Sequence, residues 1–192
     1  MEDPKETLQR YFRAGHAGLL WKLDGLSEYD ARRPLTSTGT SLLGLVTHLA
    51  WVESGYFGEC FGRPFPEPEP WDWDDPATDP NVDLVPDPTA SMPEILAFAQ
   101  RAWDWADETV TATDLGTTGT VSWWPEDRRH PTLHTVLVHV LTDVTRHAGH
   151  ADILREGLDG RVGMREENLN LDPGYHWPAH VARVQEAADR FR

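Results

Sequence analysis

The sequence has a single cysteine, Cys60, and only two lysines, Lys5 and Lys22. One cysteine excludes an internal disulfide and every C-x-x-C or Cys/His zinc-finger spacing, which is compatible with a reducing compartment. No stretch approaches the roughly 18 consecutive apolar residues of a membrane span. The opening Met-Glu-Asp-Pro-Lys-Glu lacks the basic and apolar regions of a secretory signal, so a cytoplasmic protein without membrane attachment is expected. Positive charge is scarce as well. With 17 basic against 32 acidic residues the formal charge is −15, and the only adjacent basic pairs are Arg32-Arg33 and Arg128-Arg129. Such a surface repels phosphate, which argues against a nucleic-acid partner, and so few lysines argue against polybasic lipid binding.

What is present is an ordinary globular composition, 39% hydrophobic and 26% charged, too apolar for a disordered chain. A length of 192 residues fits one domain spanning 1–192. Helical periodicity is clear in five places. Leu8, Phe12, Leu19, Leu20 and Leu23 mark a helix from about 5 to 24, with Gly25 as its stop. Leu42, Leu45, Val46, Leu49, Val52 and Tyr56 mark a second, from about 40 to 61. Ser91-Met-Pro-Glu94 has capping-box spacing and opens a third, to about 110. Pro131 starts the longest helix, to about 158, closed by Gly160. A final helix covers about 175 to 191, in a C-terminal extension from 161 to 192.

Between these helices, residues 64–90 form a long loop, with eight prolines and eight acidic residues between 64 and 88. Proline at that density removes backbone donors and forbids regular helix or a central strand. Trp71 and Trp73 are expected to pin the loop to the body. The β-prone Thr120-Val-Ser-Trp-Trp124 reads as irregular or as a brief hairpin. The fold class is therefore all-α, a four-helix bundle with long crossover loops and a C-terminal helix.

The longest helix carries the chemistry. Asp143 and His147 fall within its apolar stripe of Val136, Val140 and Leu154, and a carboxylate there needs a partner, a proton or a cation. Four residues apart, the two side chains stack on one side of the helix, at a spacing where two ligands can meet one ion. His150 and His139 lie at the edge of the same face. On the second helix His48 lies beside the apolar arc and Glu53 within it. One histidine from this helix with Asp143 and His147 makes a two-His, one-carboxylate set with open positions, suited to Zn²⁺, with Ni²⁺ or Fe²⁺ as alternatives. An ordinary Asp–His hydrogen bond between helices is the competing reading.

Three stretches are distinctive: Leu42-Leu-Gly-Leu-Val-Thr-His48-Leu-Ala-Trp-Val-Glu53, Val121-Ser-Trp-Trp-Pro-Glu126, and Leu137 to Leu154 with Asp143, His147 and His150. They resemble the DinB superfamily, specifically its mycothiol-transferase-like branch of actinobacterial type. The likeness extends to Leu23-Asp-Gly-Leu-Ser27 and Phe57-Gly-Glu-Cys-Phe-Gly-Arg-Pro-Phe65 and covers nearly the whole chain. It implies an up-down-down-up bundle and a divalent metal held by one His of the second helix and two residues four apart on a later one. These positions match His48, Asp143 and His147. The middle ligand in the family is usually His or Glu, and Asp143 is one methylene shorter than Glu, which leaves His150 as an alternative third ligand.

The resemblance further implies an S-transferase in which a low-molecular-weight, mycothiol-like thiol serves as cosubstrate toward a small-molecule electrophile, in a chain that forms a homodimer in many relatives. A metal-dependent hydrolase and a non-catalytic protein that sequesters a metal or small molecule are the alternatives. Arg146, His16 and Tyr56 are candidates for contacting the cosubstrate. Glu53 is a candidate for orienting His48 or Arg146, or for an ion pair with an arginine; His139 is expected to be a packing histidine. Cys60, next to Glu59, has no neighbour in sequence that would make it a nucleophile.

Overall fold

In the computed structural model, which describes residues 3–192, four long helices carry the architecture: α1 (Pro4–Trp21), α3 (Leu42–Glu53), α4 (Met92–Ala112) and α5 (Leu133–Asp159). A short α2 (Glu28–Arg32) follows α1, and α6 (Trp177–Asp189) closes the chain. Local chemistry sets the boundaries. Side-chain oxygens of Asp3, Ser27, Ser41 and Thr132 accept backbone N–H groups at the starts of α1, α2, α3 and α5. Ser91 and Glu94 form the reciprocal capping box of α4. Gly160 ends α5 at φ 78°, a left-handed conformation that costs glycine little.

Contacts along the helices give their directions. Lys5 donates to Thr113 O and Arg13 pairs with Asp107, so α1 and α4 run antiparallel. Gly15 faces Val144 and Lys22 pairs with Asp152, so α1 and α5 run parallel. Trp51 packs on Phe98 and Gly58 lies beside Trp105, which makes α3 and α4 parallel. His48 meets Asp143 while Tyr56 meets His139, which makes α3 and α5 antiparallel. The result is an up-down-down-up bundle with a DinB-like helical fold. α3 is apolar on every side, with Leu42, Leu43, Leu45, Val46, Leu49 and Ala50 all buried, as befits the central helix of a packed core. Full burial of each such leucine contributes about 1.5–3 kcal/mol.

Several details differ from the sequence reading. α1 stops at Trp21 rather than 24, because Arg155 reaches across from α5 to bond the carbonyls of Lys22 and Asp24 and so satisfies the free end of the helix. α5 starts at Leu133, capped by Thr132, rather than at Pro131. The second helix reaches residue 61, but after Glu53 it loosens into a π turn (Ser54–Gly58) and a 3₁₀ turn (Glu59–Phe61). α2 was too short to show a period. Among the described residues Thr120–Trp124 contains no strand, and only an isolated bridge, Thr118 to Thr132, is nearby. The Pro/acid loop is irregular apart from one 3₁₀ turn, Val82–Leu84. Among the described residues no helix is long and apolar enough to cross a membrane.

Candidate metal centre and the family of the chain

The groove between α3 and α5 brings His48, Asp143 and His147 together, with one ligand atom from each lying within 4.8 Å of the others. Asp143 stands between the two imidazoles: Oδ2 is 3.5 Å from His48 Nε2 and Oδ1 is 3.3 Å from His147 Nε2. The rings of His48 and His147 meet edge to face with centroids 4.8 Å apart. Both carboxylate–imidazole distances exceed the 2.7–2.9 Å of a tight charge-assisted hydrogen bond. They agree with the separation of neighbouring donors around one tetrahedral ion, about 3.3–3.6 Å for bonds of about 2.0–2.2 Å. Two nitrogens and one carboxylate oxygen are also the donor types that Zn²⁺ takes in sites with an open position. On geometry and chemistry, these residues fit a divalent ion.

Asp143 is less enclosed than its place in the apolar stripe suggests, with a third of its side-chain surface exposed. The cluster sits at the rim of the bundle, where a small molecule can reach it. Electrostatics bind the three groups tightly. Burial disfavours a charge on His48, but the hydrogen bonds with Asp143 and Asp83 outweigh it and raise the imidazole to about 9. Burial would raise Asp143, yet the two facing histidines hold its carboxyl well below the usual range. Without an ion the cluster is thus an imidazolium paired with carboxylates.

The loop supplies a residue that the sequence reading did not single out. Asp83 Oδ2 lies 2.7 Å from His48 Nδ1, and its side chain is mostly buried. This bond turns the other nitrogen, Nε2, toward Asp143 and is the familiar way a carboxylate orients a metal-binding histidine. Trp71 does pin the loop, against Trp51 at 5.4 Å, whereas Trp73 is half exposed.

The other candidates fall around this centre. His150 is exposed and approaches His147 through Nδ1 at 3.4 Å, the ring nitrogen opposite the one that faces Asp143. Arg146 is exposed. Tyr56 accepts the indole N–H groups of Trp123 and Trp124, and its hydroxyl lies 3.2 Å from His139 Nε2, one helical turn before Asp143. His139, although exposed, is the packing histidine expected: its ring meets Trp124 edge to face at 4.9 Å and lies 5.4 Å from Tyr56. Glu53 meets neither His48 nor an arginine. It points to the opposite side of α3, where Oε1 lies 2.6 Å from His16 Nε2. His16 in turn stacks flat on Trp103, with centroids 4.1 Å apart. Cys60 is buried, and burial together with Glu59 pushes its thiol up to about 12.

A family model described as Mycothiol-S-transferase matches residues 7–160, a span that contains His48, Asp83, Asp143 and His147. The chain belongs to the mycothiol-S-transferase family. The match ends at Gly160, where α5 ends, and leaves α6 outside it. Among solved structures, a conserved protein from Enterococcus faecalis superposes with a TM-score of 0.60 over 84% of this chain and all of its own, at 14% identity. That likeness concerns the fold alone. No curated protein matches the chain.

Proposed function

We propose that the protein is a divalent-metal-dependent thiol S-transferase that joins a low-molecular-weight, mycothiol-like thiol to an electrophilic small molecule. The observation that carries this reading is that His48, Asp143 and His147 bring one ligand atom each within 4.8 Å of one another, at a partly exposed position, in a chain of this family. These residues would hold the ion, zinc in preference to nickel or iron. The ion supplies Lewis acidity, which lowers the pKa of a thiol and provides thiolate at neutral pH.

The chain's own residues do the rest. His48, Asp143 and His147 would contribute one negative charge in total once both imidazoles are neutral, so the ion and its three ligands would keep one positive charge to meet an anionic sulfur, with Asp83 behind His48 offsetting it from the far side. The thiol comes from outside, because Cys60 is buried and its proton is held to about 12. Asp83 accepts from His48 Nδ1–H, so the proton displaced on ion binding leaves from Nε2 and no ring flip is needed.

The test measures metal content and conjugation together. Purified protein is expected to carry about one equivalent of divalent metal and to consume an electrophile such as monobromobimane only when thiol is added. Turnover without thiol would turn the reading toward a hydrolase. Stoichiometric binding without turnover would turn it toward sequestration. Absence of metal, with wild-type metal content unchanged in His48→Ala and His147→Ala, would sink it.

A further inference from the structure

The acidic loop touches the centre through one side chain, and the helix beneath it is shaped to permit this. Asp83 sits on the only helical turn of the loop, Val82–Leu84, held by Leu84 N–H donating to Asn81 O and Val85 N–H donating to Val82 O. That turn rests on α3 at Gly44, one helical turn before His48. A methyl group at residue 44 would overlap the Leu84 carbonyl oxygen, so only glycine lets the loop backbone come this close. Gly44 lies in the first turn of α3, where a methyl group would also crowd the capping Ser41 hydroxyl, and glycine within a helix costs roughly 0.5–1 kcal/mol relative to alanine. Gly44 and His48 share one face of α3, and the seat therefore delivers Asp83 directly to Nδ1.

We propose that Asp83, seated through Leu84 on Gly44, makes the acidic loop part of the metal centre, so that ion binding at His48 and docking of the loop stabilise each other. The proposal rests on the metal-binding reading above. Its physical basis is reciprocal. An ion at Nε2 withdraws electron density from the ring and makes Nδ1–H a stronger donor to Asp83, while Asp83 raises the basicity of Nε2 toward the ion. Whatever free energy the bond adds to ion binding must appear equally in loop docking. Asp83 is a positioning residue: it acts on the ion through His48. Other ties hold the loop as well: Glu67 to Arg101 and Arg32 to the Asp87 carbonyl near its two ends, and Trp71 against Trp51 between them.

The experiment uses the full chain and Zn²⁺ alone as probe. Affinity is read by chelator competition, and loop docking by hydrogen exchange of the amides of residues 81–85 with and without zinc. Measured at pH 9.5, where protons no longer compete for Nε2, Asp83→Ala is expected to weaken zinc binding about 10–100-fold, the range typical of a carboxylate behind a histidine ligand. Gly44→Ala, which changes neither a ligand nor Asp83, should weaken it in the same direction. Zinc should slow exchange at 81–85 in the wild type and leave it unchanged in Asp83→Ala. Wild-type affinity in Asp83→Ala, or exchange at 81–85 indifferent to zinc in a wild type that binds it, overturns the proposal and spares the metal reading. Failure of the wild type to bind zinc overturns both. If Gly44→Ala does not fold, Asp83→Ala and the exchange measurement decide alone.

Discussion

Two histidine–carboxylate assemblies occupy opposite sides of α3, built from the same residue types and separated by five positions in sequence. His16 and Glu53 form one pair, 2.6 Å apart, with side chains only 12% and 3% exposed and an indole lying flat on the imidazole. His48, His147, Asp143 and Asp83 form the other, with 3.3–3.5 Å between Asp143 and its two histidines, 2.7 Å between Asp83 and His48, and only Asp143 as much as a third exposed. In the first, one imidazole meets one carboxylate at close range, on the wall of a cavity of about 150 Å³ that Phe12, Trp103 and Asp107 also line. In the second, one carboxylate stands between two imidazoles at distances too long for strong bonds, and the converging atoms share a focus. Stoichiometry and spacing, rather than residue type, separate a structural pair from a centre able to hold an ion.

The sharpest way to break this comparison is to remove a ligand. Asp143→Ala or His147→Ala should lower zinc affinity by more than the roughly 100-fold typical of an outer-shell partner, read by chelator competition. Helical circular dichroism should be retained, because both side chains lie at the rim. Next in size is the closed pair. Glu53→Ala leaves His16 unpaired inside the bundle and should cost about 1–3 kcal/mol in denaturant unfolding, with zinc affinity within about twofold of wild type. A large loss of zinc in Glu53→Ala would show that the two assemblies are one site.

Protons probe the open centre from a third side. Ion and proton compete for His48 Nε2, and in the ion-free protein that imidazole titrates at about 9. Above pH 9 it is already neutral and zinc affinity should be flat. Below pH 9 each binding event expels a proton, so affinity should fall by up to about tenfold per pH unit as the solution is acidified. Chelator competition between pH 6.5 and 9.5 gives the slope. Asp83→Ala removes one of the two carboxylates that raise the imidazole and should move the break point down.

The closed pair and the open centre were not equally legible in the sequence. Asp143 and His147 were visible because a helix converts a spacing of four into adjacency, and the polar residues interrupt an apolar stripe. His48 was marked by its place beside the arc of α3 and by family likeness. The pairing of His16 with Glu53 joins α1 to α3 across the bundle, and no periodicity within either helix announces it. Asp83 was hidden more deeply: it is one of eight acidic residues in a loop without period, 35 positions from its partner. The one trace was Gly44, a glycine in the first turn of an apolar helix, and even there the close Ser41 cap offers a local reason for it. The stripe also overstated burial, since it ranks positions around one helix and cannot know how far the neighbouring helix extends to cover Asp143.

The smallest effect concerns the chain's own sulfur. Cys60 sits in the 3₁₀ turn that follows α3, and its thiol is held to about 12 by burial and by Glu59. The sign is simple: a raised thiol pKa means less thiolate at every working pH. At pH 8.5, where an ordinary cysteine is half ionised, Cys60 has roughly a thousandth or less as thiolate. Iodoacetamide should therefore leave the folded protein unlabelled at pH 8.5 and label it rapidly in denaturant. Cys60→Ala should keep conjugation within about twofold of wild type while lowering stability slightly through the small cavity it leaves. Loss of turnover in Cys60→Ala at wild-type metal content would mean that the nucleophile is carried by the protein, and the open centre would then need a different partner from an external thiol.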